Sequence, residues 1–339
     1  MVFPCSAFKS AFIVLGRSEE MRISAIRTLD RSRLLTLLFR TNILAIACDK
    51  INHYLVQEDN VDIKTTKKLN NGVEIPYLGF GVFQVRDGDD TVNAVRWAIE
   101  AGYRHIDTAA AYRNEKSVGL AVRQSGINRK ELFVTTKLPI DQMTKGTQMQ
   151  GFETSLNNLQ MDYVDLYLIH WPVTGKNKES WQVLEEIYKS GRARSIGVSN
   201  FVAANLDKLM LDAKIVPAVN QIELHPHHSQ QALQAYCEKH GIAVEAWSPL
   251  GGTGGKYLDD PVLKKIAQKY SKSTAQIVLR WELQRGIITI PKSTHQARII
   301  ANTDLYKFEL SAADMKTIND LDNDPQPCGM GWDPNSIAF

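Results

Sequence analysis

A carboxylate, an ammonium group, an imidazole and a phenol occur in this sequence where they could act together on one carbonyl group. Asp107 ends the segment HID, and Tyr112 follows on the loop that leads into the next helical segment. Lys137 ends the segment FVTTK, and His170 ends VDLYLIH. Because the carboxyl ends of parallel strands converge at the mouth of a barrel, these four side chains are predicted to face one volume.

The chemistry that this set could perform is general acid catalysis by the phenol. A free tyrosine has a pKa near 10 and is a weak acid at neutral pH. A neighbouring ammonium group stabilises the phenolate, so Lys137, held by Asp107, is predicted to lower the pKa of Tyr112. A value near 7 requires a shift of about 3 units, or about 4 kcal/mol. Taken singly, Asp107 and Lys137 could form a structural ion pair, and His170 could be an ordinary buried histidine.

The elements that would position these residues alternate between strand and helix. The predicted strands cover residues 78–81, 105–108, 132–137, 164–170, 195–199, 218–224, 243–248 and 287–291. Helical segments are predicted near residues 91–102, 114–125, 146–159, 178–190, 203–213, 230–240, 261–284 and 295–300. This alternation predicts a parallel sheet.

A closed barrel is favoured over an open sheet by the position of the reactive groups. A doubly wound sheet would show the same periodicity, but its strand ends would be spread out, because neighbouring strands lie about 4.8 Å apart. Convergence of the strand ends therefore predicts an α/β fold of the (β/α)8 TIM barrel type. A β-hairpin over residues 67–75, with its turn at Asn71 and Gly72, is expected to close the bottom of the barrel.

The first sixty residues differ from the rest of the chain. They contain six arginines and two short apolar runs at residues 34–39 and 43–48. Each run is far shorter than the roughly 20 residues of a membrane span. Residues 1–60 are therefore predicted to be an extension that is poorly ordered, and residues 61–339 to be the barrel. An organelle-targeting segment and a helix that packs elsewhere are the alternatives for the extension.

Composition and charge exclude several classes of protein. Of 339 residues, 44% are hydrophobic and 23% are charged, with a net charge of only +3. The basic residues are dispersed and no nucleic-acid-binding motif occurs, so neither nucleic acid nor membrane is an expected partner. The four cysteines form no CxxC pair and no zinc-ligand pattern, which predicts no metal site and a reducing, cytoplasmic setting.

Seven segments resemble the aldo-keto reductase superfamily, in its order and spacing, over most of the chain from Lys67 onward. They are GYRHIDTAAAYRNE, TTKL, LYLIHWP, SIGVSNF, NQIELHP, EAWSPL and IPKS. The sequence looks most like the branch that includes 2,5-diketo-D-gluconate, glyoxal and methylglyoxal reductases. The resemblance implies that Tyr112 donates a proton to the substrate carbonyl, that Asp107 and Lys137 tune it, and that His170 orients the carbonyl.

The resemblance also implies a nicotinamide cofactor, held at the strand ends in the second half of the chain. The residues expected to bind it are Ser199, Asn200, Gln221, Trp247, Ser248, Leu250, Lys292, Ser293, Arg298 and Asn302. Among these, Lys292, Ser293 and Arg298 would hold the 2′-phosphate of NADP. His295 stands where relatives often have arginine, so we expect only a moderate preference for NADPH over NADH.

A Rossmann-type cofactor site is not predicted, although Gly79 and Gly81 begin a pattern of the GxGxxG type. The third glycine of that pattern is missing. A barrel instead binds phosphates on the loops that follow its seventh and eighth strands.

The substrate is expected to be a small carbonyl compound, such as a dicarbonyl or a keto sugar. Phe83, His170, Trp171 and the C-terminal segment, residues 329–339 with Trp332, would line its pocket. The resemblance implies a monomer. Two alternatives to an active reductase remain at this point: a cofactor-binding relative without turnover, and a dehydrogenase that works mainly in the oxidative direction.

Overall fold

Eight parallel strands enclose a buried interior in the computed structural model, which describes residues 62–252, 255 and 257–322. They are β3 (Phe80–Gly81), β4 (His105–Asp107), β5 (Phe133–Leu138), β6 (Val164–Ile169), β7 (Ala193–Ser199), β8 (Val219–Glu223), β9 (Ala243–Trp247) and β10 (Ile288–Thr289). Each strand pairs with the next along the chain. The ring closes where Leu78 bridges Thr289 in parallel and the amide of Gly79 donates to the carbonyl of Thr289 at 2.8 Å. The predicted TIM barrel is confirmed.

A β-hairpin closes the end of the barrel opposite the predicted reactive groups. Its strands are β1 (Thr66–Lys68) and β2 (Glu74–Pro76), and Gly72 provides the positive φ of +85° at the turn. Side chains of the hairpin and of the inward faces of the barrel strands form one apolar cluster, which includes Leu69, Ile75, Leu166 and Val219. This cluster is the floor of the barrel interior.

The helices pack their apolar faces on the outside of the barrel strands. They are α1 (Asp89–Glu100), α2 (Glu115–Gln124), α3 (Ile140–Lys145), α4 (Gln148–Leu159), α5 (Asn177–Lys189), α6 (Ala203–Met210), α7 (Gln231–Lys239), α8 (Pro261–Tyr270), α9 (Thr274–Gln284), α10 (Gln296–Ala301) and α11 (Ala312–Asn319). In α1 the buried side chains include Ala94, Val95, Ala98 and Ile99, which recur at the spacing of one helix face.

The helical segment predicted at 261–284 is in fact two helices, α8 and α9. Ser271 adopts a left-handed φ of 52°, which ends α8. Ser273 then caps α9. Its hydroxyl accepts a hydrogen bond from the backbone amide of Gln276, and the side-chain oxygen of Gln276 accepts one from the backbone amide of Ser273. Helices α3 and α11 were not predicted from the sequence.

Gly79 and Gly81 serve the closure of the barrel. A Cβ atom at Gly79 would lie 2.5 Å from Nδ1 of His105, and one at Gly81 would lie 3.0 Å from the carbonyl oxygen of Ile290. Strands could not approach this closely around larger residues. These two glycines are therefore explained by packing.

The described residues show neither a membrane-spanning helix nor a metal-binding cluster. No helix among them is both long and apolar enough to cross a bilayer. They also contain no group of three or more His, Cys, Asp and Glu side chains arranged to hold a metal ion. The predicted extension at residues 1–60 and the predicted substrate segment at 329–339, with Trp332, lie outside the described residues.

Candidate active site

Lys137 joins Asp107 and Tyr112 at the mouth of the barrel. Its Nζ lies 2.7 and 2.8 Å from the two carboxylate oxygens of Asp107, 2.9 Å from the carbonyl oxygen of Thr108 and 3.3 Å from Oη of Tyr112. Asp107 and Lys137 come from the neighbouring strands β4 and β5 and are fully buried. The predicted convergence of these three side chains is confirmed.

The direction of the hydrogen bond between Lys137 and Tyr112 leaves a proton available. Nζ of Lys137 carries three hydrogens and donates hydrogen bonds to Asp107, Thr108 and Tyr112. The phenol oxygen therefore accepts, and its own O–H is not used by the lysine. Tyr112 is half-buried, so this O–H can point to a molecule in the mouth of the barrel.

Lys137 lowers the pKa of Tyr112, as predicted, but the net shift of this pKa is upward. Burial raises the pKa of Tyr112, and this effect outweighs the opposing Lys137 ammonium group. The phenol is consequently protonated at neutral pH, as a proton donor must be. The ammonium group acts by limiting the free-energy cost of forming the phenolate, because without it burial would raise that cost further.

Lys137 itself remains charged. Burial alone would lower its pKa, but Asp107, together with Tyr112 and Glu245, outweighs this effect, and the pKa of Lys137 is raised. A buried ammonium group is stable only where it is paired and hydrogen-bonded, and the contacts with Asp107 and Thr108 provide this. The positive charge is thus fixed next to Tyr112.

His170 lies beside Tyr112 as a neutral ring. The two ring centres are 5.7 Å apart in an edge-to-face arrangement. Burial, followed by repulsion from Lys137, lowers the pKa of His170 to about 3. A neutral imidazole can donate one ring N–H to a carbonyl oxygen without competing with Tyr112 as the acid.

Gln221 has a role that was not predicted. Its Nε2 donates a hydrogen bond of 2.8 Å to Oδ2 of Asp107, from β8 across the interior to β4. The sequence predicts Gln221 as a cofactor contact, but in the structure its amide nitrogen is engaged by the Asp107 carboxylate. Asp107 thereby accepts from both Lys137 and Gln221, which fixes its orientation.

Asn200 links several of the predicted cofactor contacts to one another. Its Nδ2 donates to the carbonyl oxygen of His170 and to Oγ of Ser199, both at 3.0 Å, while its Oδ1 accepts from Nε1 of Trp247 at 2.8 Å. Ser199 Oγ in turn donates to the carbonyl oxygen of Gln221 at 2.9 Å. Asn200 therefore fixes the Nε1 edge of Trp247 at the end of β9. The partly exposed ring of Trp247 lies at the mouth of the barrel.

The residues predicted to bind the phosphates of a cofactor follow β9 and β10. Ser248 adopts a left-handed φ of 51°, and Leu250 packs partly buried on the outer core. Ser293 is buried and accepts a hydrogen bond from the amide of His295 at 3.0 Å. Asn302 is also buried, at the end of α10.

Two exposed cations lie next to this region. Lys292 and Arg298 are exposed, and in the described part of the chain neither forms an ion pair. They lie on the loop after β10 and on α10. An anion at this place would meet two cations that no carboxylate of the described residues neutralises.

Aromatic side chains form one wall of the mouth. Phe83 is 46% exposed, although it is a large apolar residue, and its ring centre lies 5.0 Å from that of Tyr112. Trp171, directly after His170, is mostly buried. An apolar wall next to the phenol of Tyr112 is suited to the carbon skeleton of a small molecule.

Comparison with known proteins identifies the family of this chain. The sequence profile of the Aldo/keto reductase family matches residues 77–323. A protein named glyoxal reductase from Bacillus subtilis (strain 168) is 49% identical over 277 residues, which is 82% of this chain and 99% of that protein. The methylglyoxal reductase DkgA of Escherichia coli (strain K12) is 42% identical over 276 residues, or 81% of this chain and 98% of the relative.

A solved structure shows the same similarity. The aldo-keto reductase of Bombyx mori in complex with NADP superimposes with a TM-score of 0.72 at 40% identity, covering 77% of this chain and 94% of that one. The family profile spans most of this chain, and the curated relatives are matched over nearly their whole length. The chain belongs to the aldo/keto reductase family.

Proposed function

We propose that this protein reduces small aldehydes and ketones to alcohols, with NADPH as the hydride source and Tyr112 as the proton donor. The observation that carries the proposal is the contact between Lys137 and Tyr112. The phenol accepts a hydrogen bond from a fixed ammonium group and keeps its own proton for a substrate. This arrangement supports turnover rather than mere cofactor binding.

Each residue at the mouth of the barrel would have its own role in the reduction. His170, as a neutral donor, would orient the carbonyl oxygen towards Oη of Tyr112. Tyr112 would give its proton to that oxygen as negative charge develops there. The Lys137 ammonium group would then stabilise the phenolate, and Asp107 would keep that group in place.

The chain offers a suitable place for a dinucleotide. A bound reduced nicotinamide would supply the hydride that the protein itself cannot provide. Trp247, held by Asn200, would offer a flat face to the nicotinamide ring. The unpaired Lys292 and Arg298 would bind the 2′-phosphate that distinguishes NADPH from NADH. His295 in place of a further cation supports a moderate preference rather than a strict one.

Dicarbonyls are the substrate class best supported. Two relatives carry the names glyoxal reductase and methylglyoxal reductase, and they match this chain over nearly their whole length. Phe83 beside Tyr112 would cover the small apolar part of such a substrate.

The experiment is to follow the loss of the reduced-nicotinamide absorbance with purified protein and a panel of carbonyls. The panel contains methylglyoxal, glyoxal, a keto sugar, a benzaldehyde and a keto ester, each with NADPH and with NADH. We expect turnover, with higher kcat/KM for the dicarbonyls and for NADPH. Absence of turnover with every compound, in a protein that binds NADPH, would contradict the proposal and favour a binding role.

A further inference from the structure

A buried carboxyl group lies one layer below the catalytic set, and the proposed mechanism does not use it. Glu245 is in the middle of β9, in the otherwise apolar segment AVEAW, and is fully buried. Neither of its carboxyl oxygens has a hydrogen bond of normal geometry within the described residues. An unpaired buried carboxylate is costly, so stability alone does not explain an acidic residue here.

The position of Glu245 connects it to the catalytic pair. In the parallel pairing of β8 with β9, Glu245 is opposite Gln221, whose amide donates to Asp107 at 2.8 Å. Asp107 in turn accepts from Lys137, which donates to Tyr112. We call this continuous series of neighbours the buried chain. It consists of Glu245, Gln221, Asp107, Lys137 and Tyr112.

The surroundings of Glu245 favour its neutral form. Burial and then the carboxylate of Asp107 raise the pKa of Glu245 to about 8, against smaller opposing effects of Gln221 and Lys137. From β4, Nε2 of His105 lies 3.5 Å from the Glu245 carboxyl group, but burial and Lys137 hold the pKa of this histidine far below its ordinary value, and the ring is neutral.

No other charge in the described part of the chain faces Glu245 closely enough to compensate for its ionisation. From β10 its strand partner is the apolar Ile288, and from β8 it is the uncharged Gln221. Among the described residues, the charged groups that act on it are Asp107 and Lys137. Ionisation of Glu245 would therefore place a second negative charge beside one ammonium group, and its field raises the pKa of Tyr112.

We propose that Glu245 is a positioning residue that acts on Tyr112 through the buried chain, and that loss of its proton makes Tyr112 a weaker acid. In its protonated form it adds no negative charge beside the Lys137 ammonium group. As pH rises and it ionises, carbonyl reduction slows before Tyr112 or Lys137 titrates. This inference rests on the proposed reductase activity.

The test compares Glu245→Gln with Glu282→Gln. Glu282 on α9 is also fully buried, its carboxyl oxygens have no hydrogen bond of normal geometry within the described residues, and burial raises its pKa well above the ordinary value. It lies on a helix outside the barrel and is not part of the buried chain. It is therefore a matched control for removing a buried acidic group.

We expect the ratio of E245Q to wild-type kcat for carbonyl reduction to increase roughly five-fold between about pH 6.5 and pH 9.5, because only the wild type gains the opposing charge. The same ratio for E282Q should be constant. A constant ratio for E245Q in an active enzyme would overturn the inference and leave the reductase proposal intact, whereas an inactive wild type would overturn the reductase proposal. Glu245→Met gives the same test if the glutamine variant does not fold.

A second readout needs neither cofactor nor turnover. A glutamate with a raised pKa in the folded state contributes stability below its unfolded pKa, and that contribution is lost as pH rises through the folded value. The Tm of E245Q minus that of the wild type should therefore increase from about pH 4.5 to pH 8. E282Q should show a similar increase without a change in the pH dependence of kcat. If E245Q shows no such increase, Glu245 does not carry the proton assigned to it.

Discussion

Nζ of Lys137 donates to Oη of Tyr112 over 3.3 Å while it also contacts both carboxylate oxygens of Asp107. One ammonium group therefore fixes the phenol and is itself fixed by the carboxylate. Burial makes the phenol harder to ionise, and the ammonium group reduces that cost.

Replacing Lys137 with methionine keeps most of the side-chain volume and removes the charge. We expect kcat to fall by about 10²- to 10⁴-fold, because the phenolate formed on proton transfer loses its ammonium partner. The pH dependence of reduction and cofactor binding, followed by quenching of tryptophan fluorescence, are measured alongside. Lys316→Met on the exposed helix α11 is the control and should retain wild-type turnover. Near-normal kcat in K137M would show that the lysine is only structural.

The neutral state of His170 predicts a specific pH profile. Its pKa is lowered to about 3, so the ring takes up no proton as pH falls from about 7 to about 5. We therefore expect kcat/KM for reduction to show no inflection from this histidine in that interval. The measurement is a pH series on the wild type and on His170→Ala. An inflection near pH 6.5 that disappears in H170A would mean that an imidazolium takes part.

The exposed cations Lys292 and Arg298 predict a preference for NADPH over NADH. Removing Lys292 or Arg298 should lower kcat/KM for NADPH by about 10-fold each, since a charge-assisted hydrogen bond contributes about 1.5–3 kcal/mol and an exposed one less. Values for NADH, which lacks the 2′-phosphate, should change little. K292A, R298A and the control K316A are compared with both cofactors. Equal losses for NADPH and NADH would contradict the assignment of a phosphate site.

Much of the fold and of the catalytic set could be predicted from the sequence, because strand ends are local features. Asp107, Lys137 and His170 each lie at or next to the end of a strand, and the barrel brings such ends together. The break between α8 and α9 could not be predicted, because Ser271 shows no local preference for the left-handed conformation that it adopts.

The orientation of side chains across the barrel interior could also not be predicted from the sequence. The hydrogen bond from Gln221 to Asp107 joins strands that are distant in the chain, and only the closed barrel reveals it. The direction of the pKa shift of Tyr112 depends on how deeply the phenol is buried, which no motif specifies. One signal was available but overlooked: the acidic Glu245 within an apolar strand.

The most direct test is the substitution of Tyr112 by phenylalanine, which removes one oxygen atom and keeps the ring. We predict that Y112F binds NADPH as the wild type does, by tryptophan fluorescence, and loses nearly all carbonyl reduction, at least about 10²-fold in kcat. Tyr188→Phe on α5, away from the mouth, is the control and should remain active. Y112F with near-full turnover would contradict the account, because the proton would then come from another group.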